Sequence, residues 1–280
     1  MPEFKIRDLR RDYHHIVRAV RLSGEAVPSR DGDTREILDA TIIIEDPTDC
    51  LPVGIGRKLN PRIAALEALQ LIAGVSTPDL LVRASPTFKR FQDGEVYHGA
   101  YGPRLAPQLP AVVRRLQADP GTRQAVMSIW DPLHDLHVDS RKDYPCTLIL
   151  QFLIRNGKLQ LHTKMRSNDV WLGLTYDAFQ FSQMQLTVAR VLGLDAGPYF
   201  HHTTSLHIYE RDVDASRTLE PTKALAPAGR PLGIPVHGIE LAIDEAKRLL
   251  RGEAPTSFAN VDWYRETLKR LFDDQNHITL

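Results

Sequence analysis

The sequence predicts an α/β (α+β) chain in which strands and amphipathic helices surround one core. Three observations carry this. Asn156-Gly157 joins two extended runs and is a strong hairpin signal, because a type I′ turn needs positive φ at both central residues. A helical stripe follows at once, with Ala178, Phe181, Met184 or Gln185, Val188 and Leu192 on one face of Leu174–Leu192 and Gly193 at its end. Other helical and strand patterns alternate along the remaining chain.

At 280 residues the chain suits one large domain, 1–280, since no Ser/Gly-rich linker, repeat or charge block divides it. A formal net charge of zero argues against a nucleic-acid protein with a broad basic face, though not against a small anion site. Two cysteines, Cys50 and Cys146, make no disulfide framework and fit a reducing, cytoplasmic setting. No signal peptide and no apolar run long enough for a bilayer are recognised, so no membrane association is expected.

In chain order, Leu9, Tyr13, Ile16, Val17 and Val20 have helical spacing within Leu9–Leu22. Arg30-Asp31-Gly32-Asp33-Thr34 is a polar loop leading into a strand around Ile37–Glu45. Asn60–Gly74 opens on an Asn-Pro cap signal and closes on glycine, as a helix should. Glu67 sits within its apolar run. Ser85–Gly102 is loop-rich, Leu109–Gln117 a short helix, and Arg123–Trp130 a strand. Ser205–Tyr209 alternates, so His207 and Tyr209 point the same way. Leu241–Leu250 and Val261–Phe272 have amphipathic helical patterns.

The hairpin sorts its residues by face. Paired outward from the turn, Ile154 meets Leu159, Phe152 meets Leu161, Leu150 meets Thr163 and Leu148 meets Met165. The other face pairs Arg155 with Lys158, Leu153 with Gln160, Gln151 with His162 and Ile149 with Lys164. A slip of one residue would scramble this sorting. Extended further, the register sets Cys146 opposite Ser167 with Arg166 beside them, unless a bulge shifts it. A thiol beside a cation is a nucleophile candidate, because the charge favours thiolate. Spacing alone equally allows the commoner role of a free cysteine, a small buried hydrophobe.

The residues around this thiol resemble the thymidylate synthase family, which includes the pyrimidine nucleotide hydroxymethylases. Tyr144-Pro145-Cys146 is similar to the family's nucleophile motif. Gln151-Phe152, Gly157-Lys158-Leu159, Arg166-Ser167-Xaa-Asp169, Leu172-Gly173-Leu174 and His207-Ile208-Tyr209 follow in its order and spacing. The match is detailed from Tyr101 to Tyr209 and weaker from Arg30 to Gly74.

The resemblance implies a thymidylate synthase fold, with a large mixed sheet covered by helices and a homodimer packed through that sheet. It implies Cys146 as nucleophile, with Glu67 and Tyr101 as the other catalytic residues. Glu67 would organise the proton and water network at the pyrimidine ring, and burial would raise its pKa to suit proton shuttling. Arg30, Arg166, Ser167 and the partner subunit's Arg123 would bind the nucleotide phosphate, and His207 and Tyr209 the sugar 3′-hydroxyl. Phe88, Asp169, Gly173 and Tyr176 would meet 5,10-methylenetetrahydrofolate, the co-substrate, with Asp169 also near the nucleotide. No metal is implied.

Several positions depart from the family. The second phosphate arginine is Gln124, for which Arg35 is a candidate substitute. Thr147 replaces the histidine after the nucleophile, and Met165 the glutamine before Arg166. Phe88 and Phe91 lie near the positions of two tryptophans. The usual C-terminal strand is not found, which leaves only the final few residues as a candidate lid. Most informative is Asp177, where most family members carry asparagine. Asparagine accepts from uracil N3–H and donates to O4. An acid that shares one proton with cytosine N3 and accepts from the 4-amino group fits cytosine instead. Cytidylate hydroxymethylases of the family carry aspartate here.

The expectation is therefore folate-dependent 5-hydroxymethylation of CMP or dCMP. The divergent C-terminal half inclines it towards a ribonucleotide enzyme of nucleoside-antibiotic pathways. The alternatives are methylation of dUMP or UMP, and a nucleotide-binding homologue without turnover. Bland readings stand beside each residue: Arg30 as a solvated charge, Asp177 as a helix-dipole carboxylate, and His207 as a structural histidine.

Overall fold

Asn156 and Gly157 both adopt positive φ, 53° and 71°, forming the tight turn from which the sheet is built. The structure is a computed structural model describing residues 2–52, 56–138, 140–220, 233–234, 236–256 and 261–272. In chain order its elements are β1 (Glu3–Ile6), α1 (Leu9–Ser23), β2 (Glu25–Val27), β3 (Thr34–Ile44), α2 (Pro61–Ala73) and α3 (Pro78–Ala84). A 3₁₀ turn, Pro86–Phe91, precedes α4 (Tyr101–Leu105), α5 (Leu109–Ala118), β4 (Val126–Ser128) and α6 (Pro132–Asp135). Then come β5 (Thr147–Arg155), β6 (Lys158–Asp169), α7 (Leu174–Val191), β7 (Asp195–Tyr209), α8 (Glu210–Ser216), α9 (Ile239–Leu250) and α10 (Asp262–Phe272).

The strands form a mixed sheet in the order β1-β3-β7-β6-β5-β4, with β2 paired to β3. Strands β1 and β3 run parallel, as do β6 and β7, and the other pairs are antiparallel. The expected hairpin register holds from Ile149–Lys164 to Arg155–Lys158. Beyond it the strand bulges, so Thr147 rather than Leu148 meets Met165. The Leu148 carbonyl accepts from both Ile129 and Trp130 N–H, which takes that residue out of the β5–β6 ladder. The expected pairing of Cys146 with Ser167 is corrected accordingly: Arg166 N–H donates to the Cys146 carbonyl at 2.9 Å.

Helix α2 is buried on nearly every side because α7 and α9 both pack against it. Its ends are fixed as the sequence indicates. The Asn60 side chain accepts from Arg62 N–H, and Gly74 closes the helix at φ 70°. Helix α7 lies on β6 and β7, and α1 on β3 and β7. Leu9, Tyr13, Ile16, Val17 and Val20 are all buried, as the helical spacing requires. Two strands differ from expectation. The one expected at Arg123–Trp130 pairs only over Val126–Ser128. The one expected at Ser205–Tyr209 begins at Asp195, because parallel pairing with β6 extends it backwards. The expected lid falls on residues 273–280, outside the described residues. Among the described residues no helix is long and apolar enough to cross a membrane.

Candidate active site

The ends of β5, β6 and β7 open into a cleft of about 1520 Å³. Single small-molecule pockets are typically about 300–1,000 Å³, so this volume suits two ligands side by side. Cys146, Glu67, Tyr101, Arg30, Arg166, Ser167, Asp169, Asp177, His207, Tyr209, Phe88, Gly173 and Tyr176 all line it. Of the expected site residues, Arg123 alone lies elsewhere, in a shallow groove with Arg114, Arg115 and Gln124. There the Gln124 side chain accepts from Arg115 Nη1 at 2.5 Å.

Cys146 stands just before β5. Its sulfur is 3.7 Å from Arg166 Nη2 and 3.8 Å from Ser167 Oγ. The Arg166 fork is aimed by the Pro145 carbonyl, which accepts from Nε at 3.0 Å. The expectation of a lowered thiol pKa is corrected: burial pushes it up, and the opposing Arg166 charge does not offset that.

Two half-buried carboxyls share the cleft with the thiol. Glu67 reaches the cleft from α2, and burial followed by the Asp177 charge pushes it up to about 8. Its Oε2 is buried without a partner. Asp177, in the first turn of α7, is pushed up to about 7, again chiefly by burial. Its Oδ2 accepts from Asn168 Nδ2 at 2.7 Å and its Oδ1 from Gln180 Nε2 at 3.0 Å. Each oxygen keeps a further lone pair for a ligand. Gly173 makes this pairing possible, since a Cβ there would lie 2.9 Å from Asn168 Nδ2 and 3.2 Å from Asp177 Oδ2. Tyr101 is partly buried, desolvation raises its phenol far above the usual value, and its ring stacks on Phe181.

One end of the cleft gathers Arg30, Tyr209 and Arg211, which lies over the Tyr209 ring at 3.9 Å. Arg30 is exposed and pairs loosely with Asp31 at 3.4 Å. Arg35, the expected substitute for the lost arginine, is instead held by Glu210 at 2.7 Å and does not line the cleft. Phe88, Phe91, Trp171 and Tyr176 give the cleft an aromatic wall. Within it Asp169 Oδ1 accepts from Trp171 N–H at 2.7 Å, while Oδ2 is buried without a partner. Burial raises the Asp169 pKa. A flat aromatic ring carrying N–H donors fits this wall and this orphaned acceptor, so the residues present suit a pterin. Among the described residues no cluster of His, Cys, Asp or Glu could hold a metal ion.

Sequence reasoning passed over Asn168, Gln180, Glu36, Ser205, Trp171 and Arg211, all of them at or beside the cleft. Gln180 had a signal, being three residues after Asp177 on a helix face. Asn168 and Trp171 flank Asp169 in sequence, Glu36 and Ser205 reach the site through strand pairing, and Arg211 comes from α8.

The thymidylate synthase family model matches residues 11–228. The chain is 33% identical over 251 residues to a deoxyuridylate hydroxymethyltransferase of Bacillus phage SP01, covering 84% of this chain and 62% of that protein. It is 31% identical to a thymidylate synthase of Bacillus mojavensis, over 44% of this chain and 47% of that protein. The chain thus spans less than two thirds of the length of these relatives. The solved thermostable thymidylate synthase A from Bacillus subtilis superposes with a TM-score of 0.64 at 22% identity, over 78% of this chain and 86% of that one.

Proposed function

This chain belongs to the thymidylate synthase family, and from that premise we propose that it hydroxymethylates C5 of a cytidine monophosphate. The observation that carries this is Asp177. Its carboxyl is half-buried, held by two amide donors, and pushed up to about 7. At neutral pH it shares a proton readily. The protonated acid donates to cytosine N3 while its other oxygen accepts from the 4-amino group. Uracil presents N3–H and O4 instead: the ionised carboxylate has no donor for O4, and only the protonated acid meets both groups, whereas cytosine N3 can itself carry the shared proton. Unpaired buried polar groups are the strong form of discrimination.

Bound methylenetetrahydrofolate would supply a one-carbon unit at the formaldehyde oxidation level. Asp169 Oδ2, Phe88, Trp171 and Tyr176 would hold its ring. Cys146 gives its proton to water in the cleft and adds as thiolate to C6, the ring electrons form the bond from C5 to the one-carbon unit, and tetrahydrofolate would depart with a proton as the carbon's bonds to its nitrogens break. Arg166 stabilises the thiolate, more so as the ligands exclude water. Glu67, with its unpartnered Oε2, takes the C5 proton through ordered water and returns one as needed. Water then adds to the exocyclic carbon, and expulsion of the Cys146 thiolate restores the ring. No electrons are exchanged, so the product is hydroxymethyl. A methyl product would need two electrons from the folate. Arg30, Arg166 and Ser167 bind the phosphate, with Arg123 supplied by a second subunit in a homodimer, and His207 and Tyr209 hold the sugar.

The phage relative's name favours a second reading, a uracil nucleotide as acceptor. Incubation with CMP, dCMP, UMP and dUMP plus methylenetetrahydrofolate, read by mass spectrometry, decides between them. A hydroxymethyl adduct on cytosine nucleotides is expected. Preferential modification of UMP or dUMP overturns the cytidylate reading, and a methyl product overturns hydroxymethylation.

A further inference from the structure

One carboxylate in the cleft has no part in the chemistry above. Glu36 on β3 pairs directly with His207 on β7, which in turn pairs with Asp169 on β6. Directly opposed residues share a sheet face, so the three form a row across neighbouring strands, all lining the cleft. Ser205 ties the row together. Its Oγ donates to Glu36 Oε2 at 2.6 Å and lies 3.4 Å from His207 Nδ1. The neighbouring cation, Arg35, is taken by Glu210.

A carboxylate accepts hydrogen bonds and donates none. It repels a phosphate, so the phosphate belongs with Arg30 and Arg166. What remains for Glu36 is a hydroxyl donor. With the base at Asp177, the sugar lies along β7 beside His207. Glu36 Oε1, the remaining lone pairs of Oε2 and the His207 ring offer more acceptor positions than a single sugar hydroxyl can fill. A vicinal diol fills two. An acidic side chain on the ribose 2′-hydroxyl is the device that dinucleotide-binding folds use. We propose that Glu36, positioned by Ser205, binds the ribose 2′-hydroxyl and selects ribonucleotides over deoxyribonucleotides. This rests on the nucleotide lying in the cleft as described above.

Titration calorimetry of the full chain with CMP, dCMP, UMP and dUMP, without folate, tests it. The wild type should bind each ribonucleotide about tenfold tighter than its deoxy counterpart, the cost of one unpaired buried acceptor. E36A should bring both ratios close to one. E36Q keeps one acceptor and the side-chain shape, so it should fold as wild type and lower the ratios severalfold. A wild type that favours deoxynucleotides, or variants that keep its ratio, overturns the assignment. A wild type that favours uracil in both sugar series overturns the cytidylate reading and leaves the Glu36 assignment intact. Failure to bind any of the four overturns both.

Discussion

Asn168 donates its side-chain amide to Asp177 Oδ2 at 2.7 Å, and the direction of that bond is fixed from behind. His201 is fully buried, and burial lowers its pKa to about 3, so its ring is neutral. One nitrogen donates and the other accepts. Nε2 lies 3.0 Å from Asn168 Oδ1, which can only accept, so Nε2 carries the proton. Nδ1 then accepts from Tyr199 O–H at 2.7 Å. The chain Tyr199–His201–Asn168–Asp177 thus runs one way, with the Asn168 nitrogen towards the carboxylate.

D177N should move base preference from cytosine towards uracil. An amide turned to accept from uracil N3–H and donate to O4 presents the wrong donor and acceptor to cytosine N3 and its 4-amino group. Each unsatisfied buried group costs about 1–3 kcal/mol, tenfold or more in preference. The hydroxymethyl outcome should persist. The measurement is kcat/KM for the four nucleotides with both proteins. An unchanged cytosine preference in the variant would mean that another group reads the base.

The contribution of Glu67 and Asp177 to folding stability should fall as pH rises from about 5 to about 8. In the unfolded chain Glu67 and Asp177 ionise near about 4. In the folded protein they hold their protons up to about 8 and about 7. Between those limits the native state binds more protons than the unfolded state, so stability is fully present below the unfolded values and is lost as pH rises. E67Q removes one such group and should flatten the curve. At about 1.4 kcal/mol per tenfold change in proton affinity, the two proteins should diverge by roughly 1–3 kcal/mol across that range. Urea unfolding at several pH values checks this, and parallel curves would refute it. The same variant should lose most turnover, because its amide cannot shuttle a proton.

C146A should retain nucleotide affinity within a fewfold and lose turnover, since it removes the bond-forming sulfur and little contact surface. Calorimetry measures the first and product mass spectrometry the second. Product formed by the variant near the wild-type rate would exclude Cys146 as nucleophile.

Arg123 should act in trans. It lies outside the cleft of its own chain. R123A and C146A chains should each be weak or inactive alone. Mixed dimers carry one site with both defects and one with neither, so mixing should restore activity. No recovery after demonstrated subunit exchange would place Arg123 outside the site.

Local structure and half of the site's chemistry are legible in the amino-acid order. Asn156-Gly157 imposes its turn because few other pairs accept positive φ twice in succession. The apolar faces of α1 and α2 follow from spacing, and their ends from Asn60 and Gly74. Cys146, Arg166, Ser167, Asp169 and Asp177 were legible because they lie in one continuous stretch. Tertiary structure alone decided the rest. The bulge at Leu148 depends on N–H groups of Ile129 and Trp130, which precede β5 in a separate segment, so no hairpin pattern could foretell that Cys146 faces Arg166. Glu36 and His207 are 171 positions apart in the sequence and become neighbours only when β3 pairs with β7. The proton affinities of Cys146, Glu67 and Asp177 were equally hidden. They are set by how much water the surrounding helices and strands exclude, and desolvation is a property of the packed fold rather than of any residue's neighbours in sequence.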